Sequence, residues 1–410
     1  MQNETKKIGT IRMSGLMIGP ILGSGIILLP PLAYSKMGTS AIWAWILMMG
    51  LGAIFALIFS KLTVAHPGDG GMTVAIEKVL GRRFKILASL LMMTAVSFGP
   101  TAVMLTAANY LGKLKLFEGI SVNHIAMALV LASLLLLMKE LKFISTLSLV
   151  TSVVIGLVLF ISSVVSLMQN GIQISPLSIS EWMPLGKTVM LLFWAIIGWE
   201  IVGNYAMQVK DLKKTIPRAT ALSLVAVTII YLIIALAVQS FPYTKALSLV
   251  DVLMPVFGQF SEVVLALLIT GLCVSTYLLI VGALARLVYD LSQDGFLPKF
   301  LAYKNKNEVP FRGVLYFSMA HLLVLTLVSA NVLSLEVIVT IANGFFLANA
   351  LIGLVASYGV VDGWLFKIGA AVLMGSLVIL ILFSNPWIWL ALVLEFILVW
   401  TTQSEKTGLK

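Results

Sequence analysis

Apolar runs close to 20 residues long recur along the whole chain and are separated by short polar stretches. A helix of about 20 apolar residues matches the thickness of a bilayer's hydrocarbon core, so each run indicates a membrane-spanning helix. Twelve spans are predicted, over residues 11–35, 40–62, 84–111, 122–138, 142–168, 186–209, 217–240, 257–291, 312–329, 333–357, 365–383 and 386–402. The pattern predicts an all-α integral membrane protein.

Two of the predicted helices contain residues that disfavour a regular α-helix. Pro20 and a Gly-Ser-Gly triplet at 23–25 lie in the first span, and the segment 193–200 lies in the sixth. Glycine lowers the cost of leaving helical geometry, and Pro20 lacks a backbone donor. Because lipid cannot satisfy free backbone groups, a broken helix is tolerated only where it is buried in protein or faces a watery cavity. The pattern therefore predicts a substrate site between the two breaks.

The composition excludes a soluble domain, because 60% of the 410 residues are hydrophobic and only 11% are charged. The net charge is +10, but the basic residues alternate with the spans, which is the pattern that orients helices in a membrane. The charge therefore does not indicate a nucleic-acid partner. With the N-terminus placed inside, 22 of the 27 Lys and Arg residues fall on the cytoplasmic side and five outside. We therefore expect a multi-pass protein of the cell membrane, in a bacterial inner membrane, with both termini cytoplasmic.

The first break has two interpretations. Small residues allow membrane helices to approach closely, so the triplet is compatible with helix packing alone. Alternatively, the chain unwinds there and the following half-helix starts near Ser24, pointing its N–H groups into a cavity. Those donors suit a carboxylate, and the carbonyls that end the preceding half-helix near Ile21 suit an ammonium group. The second break, from Ala195 to Gly198, adds further carbonyls.

Glu200 and Trp194 stand at the second break. A carboxylate near mid-span costs roughly 2.5–3.5 kcal/mol, so Glu200 is expected to face the protein interior. One interpretation is a structural carboxyl that accepts N–H groups freed by the break, and the other is a proton carrier or pH sensor. Trp194 is a candidate lid over the substrate, although membrane tryptophans commonly serve in packing or as interface anchors.

Little in the sequence points to a metal or a cofactor. Cys273 is the only cysteine, which excludes a disulfide framework and a zinc spacing. Ser275 and Thr276 are candidates for sodium ligands, but hydroxyls in membrane helices usually bond their own backbone. Glu395, in the last span, is expected to make a packing or oligomer contact, and His321 is expected to be a hydrogen-bonded packing residue. No cofactor is expected, and the oligomeric state is left open.

Several further motifs occur in a fixed order along the chain. They are the Gly-Ser-Gly triplet followed by Ile-Ile-Leu-Leu-Pro, Pro67-Gly68-Asp69-Gly70-Gly71, Phe193 to Glu200, Val209-Lys210-Asp211 with Ile216-Pro217-Arg218-Ala219, Ala285 to Asp290 with Gln293 to Pro298, and Val309-Pro310. Together these motifs resemble the amino acid–polyamine–organocation (APC) superfamily. The short chain and Trp43-Ala44-Trp45 look most like the bacterial neutral amino-acid exporters in it.

The resemblance implies a LeuT-type fold in a single transmembrane transporter domain over residues 1–410. Ten core helices would form two inverted five-helix repeats, 8–168 and 186–357, with helices 1 and 6 broken. Two peripheral helices would follow at 365–402. The resemblance also implies amino-acid transport by alternating access.

Carried over to this sequence, the resemblance implies specific contacts with the substrate. The carboxylate would meet N–H groups at Ser24, Gly25 and Ile26, and Gly23 would belong to the same unwound segment. The amino group would meet carbonyls near Ile21, Trp194, Ala195 and Ile197, with Trp194 as the occluding aromatic. Some proton-coupled relatives carry a lysine in the fifth helix, but residues 143–168 contain none, which puts lysine-based coupling in doubt.

The sequence thus predicts a secondary active amino-acid transporter, an antiporter or symporter, rather than an enzyme. Its substrates are expected to be neutral and apolar, because the predicted pocket residues carry no charge: Met92, Met93, Ser97, Phe98, Thr101, Ile341 and Asn343. Export or exchange, with proton coupling or pH sensitivity through Glu200, is expected, and the bilayer, the amino acid and protons are the expected partners. Two alternatives stay open: a carrier of cationic amino acids or polyamines, and a membrane receptor or scaffold that binds an amino acid without moving it.

Overall fold

A computed structural model describes residues 7–23, 25–242, 248–382, 384 and 386–407, with side chains up to 401. No β-strand forms within these ranges, and the predicted all-α fold is confirmed. The described residues form fifteen α-helices: α1 (Thr10–Leu22), α2 (Gly25–Met37), α3 (Ala41–Ala65), α4 (Met72–Leu80), α5 (Arg82–Leu111), α6 (Val122–Leu137), α7 (Leu141–Asn170), α8 (Trp182–Leu192), α9 (Leu212–Gln239), α10 (Leu249–Phe257), α11 (Ser261–Gln293), α12 (Phe311–Ser329), α13 (Leu335–Ser357), α14 (Trp364–Leu382) and α15 (Pro386–Thr407).

Nine helical segments of the described chain are long and apolar enough to cross a membrane. They are Gly25–Ala65, Arg82–Leu111, Leu141–Asn170, Ile179–Gln208, Leu212–Gln239, Leu249–Gln293, Phe311–Ser329, Leu335–Ser357 and Trp364–Leu382. Three shorter apolar helices accompany them, Thr10–Leu22, Val122–Leu137 and Pro386–Thr401. The protein is a multi-pass membrane protein, as the apolar runs predict.

Helix α7 shows how the outer helices are adapted to lipid. Its serines are buried against the bundle, among them Ser148 and Ser152, whose hydroxyls donate to the carbonyl of Gly15 on α1 at 2.9 and 3.3 Å. Its exposed face carries apolar side chains such as Val154 and Leu157. Polar groups inside and apolar groups outside are what a bilayer requires, because buried hydroxyls find partners only within the protein.

The bundle has two chemically different ends, which lie at opposite ends of the 25-residue helix α3. At the end named here the charged end, Lys304 pairs with Asp69, and the backbone of Ile8 bonds to that of Gln208. At the opposite end, uncharged hydrogen bonds predominate around Thr39, such as its hydroxyl contact with Ser175 at 2.6 Å. The two segments that contain the predicted breaks are therefore joined at both ends: Ile8 meets Gln208 at the charged end, and Thr39 meets Ser175 at the opposite end.

Candidate functional site

The first predicted break is present between α1 and α2. α1 ends at Leu22, and Gly23 follows with a φ of +36°, a conformation that side chains with a Cβ rarely adopt. α2 begins at Gly25, and Ser24 lies outside the described residues. The break therefore depends on the glycine that the sequence places there.

The second break is longer and never returns to α-helix. After α8, Phe193–Ile196 form a short 3₁₀ turn, Ile197 is extended and Gly198 has a φ of +124°. A further 3₁₀ segment, Trp199–Gln208, then runs to the charged end. Long 3₁₀ segments are uncommon because their hydrogen bonds are poorly aligned, so this stretch marks an unusual part of the bundle.

Each break has one side chain that caps its free backbone groups. The Tyr231 hydroxyl of α9 donates to the carbonyls of Ile21 and Leu22 at 3.0 and 3.2 Å. At the second break, Glu200 is 2% exposed and its Oε2 accepts the N–H of Gly198 at 2.9 Å. This contact is the one expected if Glu200 is a structural carboxyl that accepts an N–H group freed by the break. Its Oε1 has no hydrogen-bond partner in the described part of the chain.

The two breaks meet at a cavity, here called the central cavity, of about 50 Å³. Its lining is Pro20, Ile21, Gly23, Gly25, Gly99, Val103, Trp194, Ile197, Gly198, Ile201, Thr276, Leu279, Ile280 and Phe346. None of these described residues is charged. A cavity of this size holds only a few water molecules, so an amino acid would have to enlarge it to enter.

Most of the predicted binding residues lie at this cavity. Ile21, Gly23, Gly25, Trp194 and Ile197 line it, whereas Ile26 and Ala195 are buried outside its lining. Their contact with a substrate stays a prediction. Ser275 lies outside the lining, and Thr276, which lines it, donates its hydroxyl to Leu272 on its own helix, as is usual for membrane hydroxyls.

The prediction for the third and tenth spans was wrong in its choice of faces. None of the seven predicted residues lines the central cavity: Met92, Met93, Ser97, Phe98, Thr101, Ile341 and Asn343. Helix α5 instead presents Gly99 and Val103, one turn apart, and α13 presents Phe346. Since α5 is buried on most sides, its hydrophobic pattern does not distinguish the face that borders the cavity.

A larger cavity, the vestibule, lies on the other side of Trp194. It has a volume of about 410 Å³ and shares Val103, Trp194 and Ile197 with the central cavity. Its further lining comes from Leu28, Leu29, Leu32, Ala102, Thr106, Met190, Leu191, Phe193, Leu335, Val339, Asn343, Leu347 and Leu380. Trp194, with Val103 and Ile197, therefore lies at the boundary between the central cavity and this apolar vestibule.

Tyr205 lies on the side of the central cavity that faces the charged end, although it does not itself line the cavity. It is 1% exposed, and its hydroxyl donates to the carbonyl of Leu279, a residue of the central cavity, at 2.8 Å. The Arg286 guanidinium lies over its ring, 4.6 Å from the centroid. Sequence reasoning missed Tyr205, because its partner is a backbone carbonyl 74 residues away.

Two other polar residues inside the bundle, the buried His321 and the partly buried Glu395, have packing partners rather than a place at the site. His321 contacts the Tyr277 hydroxyl at 2.9 Å and the carbonyl of Val96 at 2.7 Å, so it joins three helices. Glu395 on α15 accepts the Thr94 hydroxyl at 2.7 Å. Both side chains make the packing contacts expected for them.

Comparison with known proteins agrees with this architecture. The family model described as "Amino acid permease" matches residues 8–402 of the chain. The chain belongs to the amino acid permease family. Its resemblance to the APC superfamily is thereby confirmed, and the permease is a transport protein rather than an enzyme.

Several curated relatives match the permease over most of their length at low identity. The L-methionine/branched-chain amino acid exporter YjeH of Escherichia coli is 24% identical, over 94% of this chain and 93% of its own. The uncharacterized amino acid permease YecA of Bacillus subtilis is 23% identical, over 90% and 89%. A cadaverine/lysine antiporter of E. coli is 24% identical, over 76% and 73%. These names describe the relatives, and they support small-molecule transport by the permease.

Proposed function

We propose that the permease is a secondary active transporter of neutral, apolar amino acids. The observation that carries this proposal is the central cavity, where backbone from two broken helices meets an uncharged, mostly apolar wall. Backbone N–H and C=O groups at helix breaks suit the two charges of a zwitterion, while apolar walls suit an aliphatic side chain. The name of one relative, an exporter of methionine and branched-chain amino acids, agrees with this substrate class and favours export.

The proposed architecture is a LeuT-type bundle of twelve spans within residues 1–410. Repeats at 8–168 and 186–357 would each begin with a broken helix, and 365–402 would be peripheral. The breaks at Gly23 and Gly198, five spans apart, support this division, because an odd number of spans per repeat inverts the second. The excess of basic residues supports a cytoplasmic location in the cell membrane for the charged end and both termini.

Transport would proceed by rocking one group of helices against another, so that the site opens to one end at a time. Trp194 would close over the amino acid at the opposite end. Ligand groups would come from the backbone near Ile21, Gly25 and Ile197, with Ser24, Ile26 and Ala195 as further proposed contacts.

A flux assay in proteoliposomes tests the substrate class. Labelled leucine, methionine, arginine and glutamate are supplied in parallel, with empty liposomes as the control. We expect saturable counterflow of leucine and methionine. Saturable flux of arginine and glutamate alone would overturn the proposed substrate class, and binding of leucine without counterflow would favour a receptor.

Glu200 is the proposed proton-linked group of the transporter. Glu200→Gln keeps an oxygen that accepts the Gly198 N–H, so we expect near-normal stability and loss of the pH dependence of flux. Glu200→Ala leaves that N–H buried without a partner, which costs about 1–3 kcal/mol and lowers the melting temperature. Full pH dependence in Glu200→Gln would exclude the proton role and leave Glu200 as a structural cap.

A further inference from the structure

Two buried cations at the charged end have very different surroundings. Lys85 is 5% exposed and lies within 4 Å of three carboxylates, those of Glu77, Asp290 and Asp294. Arg286 is 4% exposed and has no ion-pair partner in the described part of the chain. The nearest acidic residue along its helix face, Asp290, is already engaged by Lys85.

The few contacts of Arg286 leave most of its hydrogen-bonding capacity unused. Its Nη1 donates to the carbonyl of Gly282 at 2.6 Å, and the Tyr205 ring provides a cation–π contact. Its Nε has no hydrogen-bond partner among the described residues. A guanidinium carries five N–H donors, and a buried charge is costly unless it is paired. The arrangement therefore lacks an anionic partner.

Arg286 borders a polar cavity of about 200 Å³, here called the charged-end cavity. Its lining is Lys7, Asp69, Glu140, Leu141, Met207, Gln208, Arg286, Lys304, Asn307 and Glu308. Three cationic and three acidic side chains thus surround it, and their charges balance. A net charge of zero with both signs present favours a ligand that is itself zwitterionic.

Asp69 supplies the complementary group at this cavity. Its Oδ2 pairs with Lys304 at 3.2 Å, while its buried Oδ1 has no hydrogen-bond partner in the described chain. The cavity therefore borders one cation that lacks an anion and one carboxylate oxygen that lacks a donor. Both deficiencies are met by the α-carboxylate and α-ammonium groups of one amino acid.

We propose that the charged-end cavity is a second amino-acid site, in which Arg286 donates to the carboxylate and Asp69 accepts from the ammonium group. The same two segments border both cavities: residues 199–208 provide Ile201 to one and Gln208 to the other, and α11 provides Ile280 and Arg286. Six helical residues at 1.5 Å each place the two sites about 9 Å apart along α11. An amino acid leaving the central cavity past Tyr205 would reach this second site next.

The inference rests on the proposed function for the identity of the ligand, so its test separates the two. Purified permease in lipid nanodiscs is dialysed against labelled leucine, and bound leucine per chain is measured at saturation. Arg286→Gln and Asp69→Asn are compared with two controls. Lys214→Gln removes an exposed cation outside the cavity, and Asp211→Asn removes an exposed carboxylate outside it. Melting temperatures verify that each variant is folded, and flux is measured in parallel.

We expect two leucines per chain in the wild type and in both controls, and one per chain in Arg286→Gln and Asp69→Asn. A single leucine in the wild type, or two retained in folded Arg286→Gln, overturns the second site while leucine flux still supports the proposed function. Loss with Arg286→Gln but not Asp69→Asn indicates an anion site and overturns the zwitterion assignment. If the wild type shows no flux, the proposed function is rejected. The second site is still supported in that case if Arg286→Gln and Asp69→Asn each bind one leucine fewer than the wild type.

Discussion

The central cavity is closed differently toward its two ends. Toward the opposite end, Trp194 stands between two cavities that share three lining residues, and the vestibule beyond it is apolar. Toward the charged end, the central and charged-end cavities share no lining residue, and Tyr205 is locked by a hydrogen bond and a cation–π contact. One closure is a single large side chain, and the other is several layers of packing and charge.

The difference indicates which closure the structure stabilises more strongly. Opening past Trp194 requires a change in one aromatic side chain and its neighbours, whereas opening past Tyr205 breaks specific polar contacts between helices. The charged end is further joined by Lys85, which links α4, α5 and α11 through its three carboxylates. Under the proposed function, this conformation would exchange the central cavity with the vestibule, and substitutions at the two closures should have opposite effects on access.

Lys85→Met should have the largest effect. It leaves three carboxylates together without their shared cation. Because Glu77 and Asp294 are partly exposed, solvent screening brings the cost below the roughly 3–5 kcal/mol of a fully buried pair. We expect a marked fall in the melting temperature of the purified protein. Lys214→Met, which disrupts an exposed pair with Asp211, is the matched control and should change stability by about 0–1 kcal/mol. Equal melting temperatures for the two variants would show that the Lys85 cluster does not secure the charged end.

Trp194→Ala should have the next largest effect, through the closure on the vestibule side. Removing the indole opens the central cavity to the vestibule and removes apolar contact with a bound amino acid. We expect the apparent affinity for leucine to fall about 10–100-fold, equivalent to roughly 1.4–2.8 kcal/mol. Trp182→Ala is the control, because Trp182 is exposed and lines neither cavity. An unchanged affinity in Trp194→Ala would remove this residue from the closure.

Gly282→Ala should weaken the closure on the charged side. A Cβ at this position would lie 2.6 Å from the Tyr205 hydroxyl, so Tyr205 must shift and its bond to Leu279 is lost. We expect several-fold faster labelling of Ile280→Cys, in a Cys273→Ser background, by an impermeant thiol reagent added at the charged end. Gly50→Ala is the control, since a Cβ there meets nothing within 4 Å. Slower or equal labelling in Gly282→Ala would contradict the role of Tyr205.

These closures were only partly predictable from the sequence. Gly23 and Gly198 could be identified because glycine within an apolar run has a direct backbone consequence, and Trp194 because it lies beside one of these breaks. The faces of α5 and α13 could not, since helices buried on most sides carry no amphipathic period. Tyr205 and the unpaired Arg286 depend on contacts between distant segments, which the local sequence does not encode.

Tyr205→Phe should have the smallest effect and gives the sharpest comparison between the two closures. It removes only the hydroxyl that donates to Leu279 and keeps the ring beneath Arg286, so about 1 kcal/mol of closure energy is lost. Because 1 kcal/mol is roughly a fivefold change in an equilibrium, labelling of Ile280→Cys from the charged end should rise about fivefold.

Tyr277→Phe is the control for this smallest change. It also removes a buried hydroxyl, one that contacts His321, from a site away from either closure. It should lower stability to a similar degree without changing the labelling rate. If both variants raise labelling equally, general loosening of the bundle explains the effect. If only Tyr205→Phe raises it, and labelling from the opposite end falls in step, a single hydrogen bond biases the end to which the central cavity opens.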